Sequence, residues 1–187
     1  MIFKRFFLLF LLFHPLFLSA QVLNGIGTKW SDEFTEWMIF VYSEEEEEEE
    51  EPGELRMRWQ MQNDWSEWDY RIGDQVGSIK QLWKEDPTQW EIRGDGEVIT
   101  VRTKWSNDFS EWRITDNERN LTLRSRWRNN FNEWLVSEKE YGAFEIYTRF
   151  EDDPREWDIV DELDDSISLH LKMAFIFIAI YHSSPRY

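Results

Sequence analysis

The chain has 187 residues, enough for one ordinary domain or one repeat array, and with no cysteine it has no disulfide framework, thiolate metal site or cysteine nucleophile. Its 12 tryptophans and 17% aromatic content exceed ordinary usage, while only 8 glycines and 5 prolines exclude a collagenous or linker-like chain. Asp plus Glu number 38 against 21 Lys plus Arg; the formal net charge of −17 repels phosphate backbones and argues against nucleic acid and anionic membrane surfaces as partners.

Residues 1–20 read as a signal peptide. Lys4 and Arg5 form a basic start, Phe6 to Phe17 an apolar core broken only by His14 and Pro15, and Leu18-Ser19-Ala20 a small-residue exit. The apolar stretch falls short of the ~20 residues a spanning helix needs, so cleavage after Ala20 is expected rather than anchoring. The mature chain is expected in a bacterial periplasm, at the cell surface or secreted, where a cysteine-free domain must rely on its core.

From residue 21 to 172 one pattern recurs. Trp37, Trp68, Trp90, Trp112, Trp134 and Trp157 are spaced by 31, 22, 22, 22 and 23 residues, which marks a repeat array. Before each anchor stand two acids or amides, an aromatic or Pro, a variable residue and Glu or Gln, as in Asn107-Asp108-Phe109-Ser110-Glu111-Trp112. Seven residues ahead stands another large residue: Trp30, Met61, Trp83, Trp105, Trp127 or Phe150. In Ile99-Thr100-Val101-Arg102-Thr103-Lys104-Trp105 and in Trp112-Arg113-Ile114-Thr115, apolar and polar side chains alternate, the period of a half-buried strand. Asp86-Pro87 and Asp153-Pro154 place Asp and Pro where a type I turn wants them. Each repeat is therefore a β-hairpin.

The expected fold is all-β: an antiparallel meander of about 12–13 strands built from six hairpins of about 22 residues. Burying the tryptophans is worth too much for one open sheet to leave that face wet, so the sheet closes or flattens into a barrel; an open, curved hairpin-repeat sheet is the alternative. The expected core is the inward tryptophan set Trp30, Trp37, Trp68, Trp83, Trp90, Trp105, Trp112, Trp127, Trp134 and Trp157. A round 12-strand barrel has a backbone radius of roughly 12 Å, leaving either a solid indole core or a narrow aromatic cavity.

Two segments break the pattern. Residues 44–54 form an acidic insertion around the uninterrupted run Glu44 to Glu51, read as a solvated loop. Residues 173–187 begin with MAFIFIAIY, apolar on both faces, and are read as a final strand or tail; 173–181 is the candidate surface for self-association or membrane contact.

Chemistry is sparse. Past the signal peptide only His170 and His182 remain, so no zinc set and no G-x-S-x-G elbow exists, and His170 is placed on an outward strand face. Carboxylates that recur in every copy belong to a scaffold, because catalytic acids are singular. The weak candidate contacts lie in the hairpin loops: Phe34, Trp65, Phe109 and Phe131 as exposed aromatics, with Asp64, Asp86, Asp108 and Asp153 beside them. Calcium, a glycan or a basic protein are the candidate partners, and no cofactor is expected. In repeat length alone the array is similar to MORN and choline-binding arrays, but it lacks the glycine framework of the first and the Gly-Trp and Tyr-Tyr signatures of the second. The expectation is an exported, non-enzymatic binding or structural repeat protein. A hydrolase with a carboxylate pair is the weaker alternative, with no residues to name.

Overall fold

The computed structural model describes residues 22–31, 33–42 and 51–186. Residues 1–20, expected to be a signal peptide, and most of the acidic run lie outside the described residues. Alternating patterns produce twelve antiparallel strands: β1 (Leu23–Trp30), β2 (Glu33–Val41), β3 (Gly53–Trp59), β4 (Asp64–Ile72), β5 (Gln75–Gln81), β6 (Gln89–Gly94), β7 (Glu97–Trp105), β8 (Asp108–Thr115), β9 (Asn120–Trp127), β10 (Asn130–Glu138), β11 (Gly142–Phe150) and β12 (Asp153–Leu163). Each pairs with the next, and β1 pairs with β12, Ile26 opposite Trp157, to close a barrel with no free edge. Residues 53 and 54, at the end of the presumed insertion, already belong to β3.

Register sets apolar groups against each other on the inner face: Trp90 opposite Val101, Ile92 opposite Ile99, Trp112 opposite Leu123, Trp134 opposite Ser125. The six anchors Trp37, Trp68, Trp90, Trp112, Trp134 and Trp157 are fully buried. Each indole N–H donates to the carbonyl three residues earlier, that of Phe34, Trp65, Pro87, Phe109, Phe131 or Pro154, at 2.7–3.0 Å. Phenylalanine would fill the same space but leave a loop carbonyl without this donor, which accounts for tryptophan in all six copies.

Residues 173–181 do not form a thirteenth strand. They belong to a helix, α1 (Leu169–Ser183), that runs through the lumen. Leu169 to Tyr181 are all buried. Strands from β4 round to β11 meet the helix: Phe175 on Phe144 of β11, Phe177 on Trp68 of β4 and Trp90 of β6, and His182 on Trp112 of β8 and Phe131 of β10. A helix enclosed this way needs no polar face, so it shows no 3.6-residue period, and the apolar run is indistinguishable in sequence from a doubly covered strand. The dimensions agree. A radius of roughly 12 Å, less inward side chains of about 6–7 Å, leaves a bore of about 10–12 Å, the width of a helix with its side chains. Neither a solid indole core nor an empty cavity results. The candidate surface 173–181 is likewise inside the barrel, not on its exterior.

The helix begins at Ser168, whose hydroxyl accepts from the Leu171 amide at 3.3 Å and donates to Glu97 at 2.6 Å. His170 faces the wall, not solvent: its Nδ1 lies 2.5 Å from the Tyr70 hydroxyl and its Nε2 3.1 Å from Asp95. The lack of a Cβ at Gly94 makes room for it, since one would stand 2.2 Å from the imidazole. Burial, with Asp95 and Glu97 adding to it, raises the Tyr70 phenol far above its ordinary value, so this chain of groups supplies no phenolate nucleophile.

At the other end of α1, His182 stacks on Phe109 with ring centroids 4.9 Å apart, and its buried Nε2 has no hydrogen-bond partner. Burial first, and Arg186 second, lower the imidazole to about 3. An unfolded histidine titrates near 6.5, so between these values the unfolded chain binds a proton that the native chain refuses. This contribution to stability is complete above pH 6.5 and falls as the pH drops towards 3. By pH 4 the loss is about 3 kcal/mol at ~1.36 kcal/mol per pH unit. Urea unfolding at pH 7 and pH 4 checks it: H182F should lose about that much less stability over the interval than the parent, and equal losses would contradict the assignment.

Candidate functional site

All six repeat loops lie at one end of the barrel, where α1 ends. The ladders there are irregular, with register shifts between Thr28 and Trp30, Met57 and Trp59, and Thr103 and Trp105, which bend and twist each hairpin tip outward. At this end Trp30, Trp59, Trp83, Trp105, Trp127 and Phe150 are 45–65% exposed and form a crown around the rim. This corrects the expected core: Trp30, Trp83, Trp105 and Trp127 are outside it, because alternation along a strand does not carry across a bulged tip, nor, at Trp83, past the end of β5 into the loop. Met61 is 97% exposed and is not the large residue of its repeat. A 3-10 turn, Gln60–Gln62, displaces that role to Trp59, which pairs with Asp64 as Trp105 pairs with Asp108.

Three crown indoles are held by the Glu that precedes the buried anchor: Trp30 donates to Glu36 at 3.3 Å, Trp59 to Glu67 at 3.4 Å and Trp105 to Glu111 at 2.9 Å. Before five of the six crown aromatics a basic residue engages the same Glu, as Lys29, Arg58 and Lys104 do, with Arg126–Glu133 and Arg149–Glu156 repeating the arrangement; Trp83 follows Leu82 instead. These partners hold the carboxyls below the usual carboxylate range, led by Gln60 at Glu36, Lys80 at Glu67 and Lys104 at Glu111.

Neighbouring loops are tied together. Gln60 donates to Glu36 at 2.9 Å, Arg128 meets Asp108 at 3.2 Å, Asn132 donates to Asp152 at 2.8 Å and Arg155 reaches the Ser31 carbonyl at 3.5 Å. Between the fourth and fifth hairpins a groove of about 650 Å³ opens beside Trp105, lined by Ser106, Asp108, Glu111, Arg126 and Arg128. A second, of about 510 Å³, lies between Trp65 and Lys84, where the Arg186 guanidinium sits 4.0 Å over Tyr181.

The loop residues singled out in the sequence have a different place from the one expected. Phe34 is buried, and Trp65, Phe109 and Phe131 are half-buried against the core, bracing the anchors rather than facing solvent. Trp65, Phe109 and Phe131 reach over the end of the lumen onto Tyr181 and His182 at the tip of α1. Asp64, Asp86, Asp108 and Asp153 accept from the amide two residues on, at Ser66, Thr88, Ser110 and Arg155, over 2.9–3.1 Å, and so shape their own loops. The Ser66 hydroxyl and amide hold Asp64 below the carboxylate range, with Lys84 a smaller influence. Among the described residues no three His, Asp or Glu side chains gather as a metal would require.

These features define a twelve-stranded barrel of six hairpins, plugged by its own C-terminal helix and crowned at one rim by exposed aromatics. No protein-family model, curated protein or solved structure matches the chain.

Proposed function

We propose that the protein is an exported, non-catalytic binding module that holds a glycan on its crown. The observation that carries this reading is the set of exposed aromatic rings at one rim, with the indoles of Trp30, Trp59 and Trp105 fixed by hydrogen bonds to glutamates. A large apolar ring kept in solvent costs stability unless a partner covers it, and one held in place loses little entropy on binding. Indole faces stack on the apolar faces of sugar rings, while the surrounding Glu, Asp, Ser and Arg groups suit hydroxyls. The repetition of one station around the rim suits a polymer with a repeating unit, whose weak contacts add through effective concentration. Catalysis is the poorer reading: the carboxylates of each station are already committed to a loop amide, a base or an indole, and the lumen is filled.

Isothermal titration against a panel of soluble neutral and acidic polysaccharides tests the proposal. At least one polymer should bind, and the double variant W105A/W127A should bind it at least ~10-fold more weakly with an unchanged near-ultraviolet spectrum. Absence of heat with every polymer, or binding indifferent to the two substitutions, would overturn it.

A further inference from the structure

Away from the crown, one cleft of about 450 Å³ lies on the outer wall across β3, β4, β5 and β6. That size falls in the range of about 300–1,000 Å³ spanned by sites for small organic ligands. Its middle is low because the outward residue of β5 there is the small Ser78, beside the backbone of Gly77. A side chain at Gly77 is excluded by the interior, since a Cβ there would stand 2.2 Å from the buried Tyr70 ring, so Gly77 contributes only backbone to the cleft.

Register places charges around this depression in an ordered way. One row runs Arg56, Asp69, Ser78, Arg93 across the four strands, and the next runs Glu54, Arg71, Val76. In a chain with 38 acids and 21 bases, most bases on the outer wall find a carboxylate. Arg58 takes Asp69, Lys29 takes Glu54 at 3.2 Å, and Arg93 takes Glu91 at 2.6 Å. Arg56 and Arg71, like Arg102, Arg113 and Arg124 elsewhere on the strands, make no ion pair or side-chain hydrogen bond among the described residues, and of these five they are the two that line the cleft. Two unclaimed guanidinium groups on adjacent strands, diagonal to one another and facing one depression, form a fork suited to an anion.

We infer that this cleft binds a sugar carboxylate of the uronate class, with Arg56 and Arg71 on the carboxylate and Glu54, Asp69 and Ser78 on the hydroxyls. The acids make the selection. Glu54 and Asp69 repel a compact dianion such as sulfate or phosphate, but they accept hydrogen bonds from the hydroxyls a hexuronate carries beside its single charge. A neutral hexose offers the hydroxyls without the group that the arginines require. This inference stands independently of the crown, which uses other residues at the end of the barrel.

The test is titration of the intact, processed protein, followed by amide chemical shifts, with sodium glucuronate, glucose and sodium sulfate at matched ionic strength. Glucuronate should shift amides of β3 to β6 in a saturable way, glucose and sulfate should bind at least ~10-fold more weakly, and R56Q or R71Q should weaken glucuronate at least ~10-fold. Both arginines are exposed, so these variants should keep the parent melting temperature. The crown variant W105A/W127A should bind free glucuronate as the parent does, which separates this site from the crown reading. An oligogalacturonate should give the same β3–β6 shifts if the uronate is recognised within a polymer. Equal affinity for sulfate, equal affinity for glucose, absence of saturable shifts, or indifference to both arginine substitutions would each overturn the inference.

Discussion

A chain ended after Lys172 is expected to lose its native state altogether. The deletion empties the lumen of Met173, Phe175, Ile176, Phe177, Ile178, Ile180 and Tyr181, all buried, together with two alanines. At ~1.5–3 kcal/mol for each large apolar side chain, the loss is on the order of 10–20 kcal/mol, against the ~5–15 kcal/mol by which domains are usually stable. The inner wall is left just as exposed. Trp68 and Trp90 lose Phe177, whose ring lies 5.8 and 4.8 Å from theirs, and Phe144 loses Phe175 at 5.4 Å. No rearrangement of twelve strands at this radius brings opposite indoles into contact, so water enters the bore. The truncated protein should keep part of its far-ultraviolet strand signal, lose near-ultraviolet ellipticity, bind an apolar dye and unfold in urea without a cooperative step. Full-length F177D should behave alike, because the charge is placed between the same two indoles. A truncated chain with a sharp unfolding transition would show that the barrel stands without its helix.

This result bears on what the sequence discloses. The hairpins were legible because Trp37 to Trp157 repeat at nearly constant spacing and because alternation in segments such as residues 99–105 has the strand period. Closure followed from the area of indole that an open sheet would leave wet. Three features were hidden, each for a physical reason. Alternation assigns faces only while the ladder is regular and continuous, so Trp30, Trp105 and Trp127 read as core although bulged tips place them on the rim, and so does Trp83, which lies in the loop past the end of β5. The helix gives no period because an enclosing wall tolerates apolar residues at every angle; its one local sign is Ser168, a capping residue just ahead of the apolar run. The outer cleft depends on cross-strand neighbours, and Arg56 meets Asp69 only once the register of β3 on β4 is known. The indole N–H bond to the third preceding carbonyl is also invisible in sequence, yet it is the feature that distinguishes the tryptophan repeat from a merely aromatic one.

The second large effect concerns the only charged group on the helix that is buried with its counterion. Lys172 Nζ stands 2.7 Å from Asp161 Oδ2 of β12, and the two side chains are 2% and 1% exposed. Asp161 also accepts from the amides of Leu23 at 3.3 Å and Leu163 at 3.4 Å, so one carboxylate joins the helix, the last strand and the start of the first, at the seam that closes the barrel. Removing one member of such a pair strands the other charge in a site closed to water, at a cost of about 3–5 kcal/mol. K172M, which keeps the length and apolar stem, should therefore lower the urea stability by that amount, far more than an exposed substitution such as K80M. Replacing both members removes the stranded charge, and an asparagine at 161 still offers its carbonyl oxygen to one of the two amides, which donate to different carboxylate oxygens. The double variant D161N/K172M should thus recover at least half of the loss. Should K172M cost less than ~1 kcal/mol, or the double variant cost the sum of the two single changes, the pair would not fix the helix to the seam, and the depth of the plug would be set by apolar packing alone.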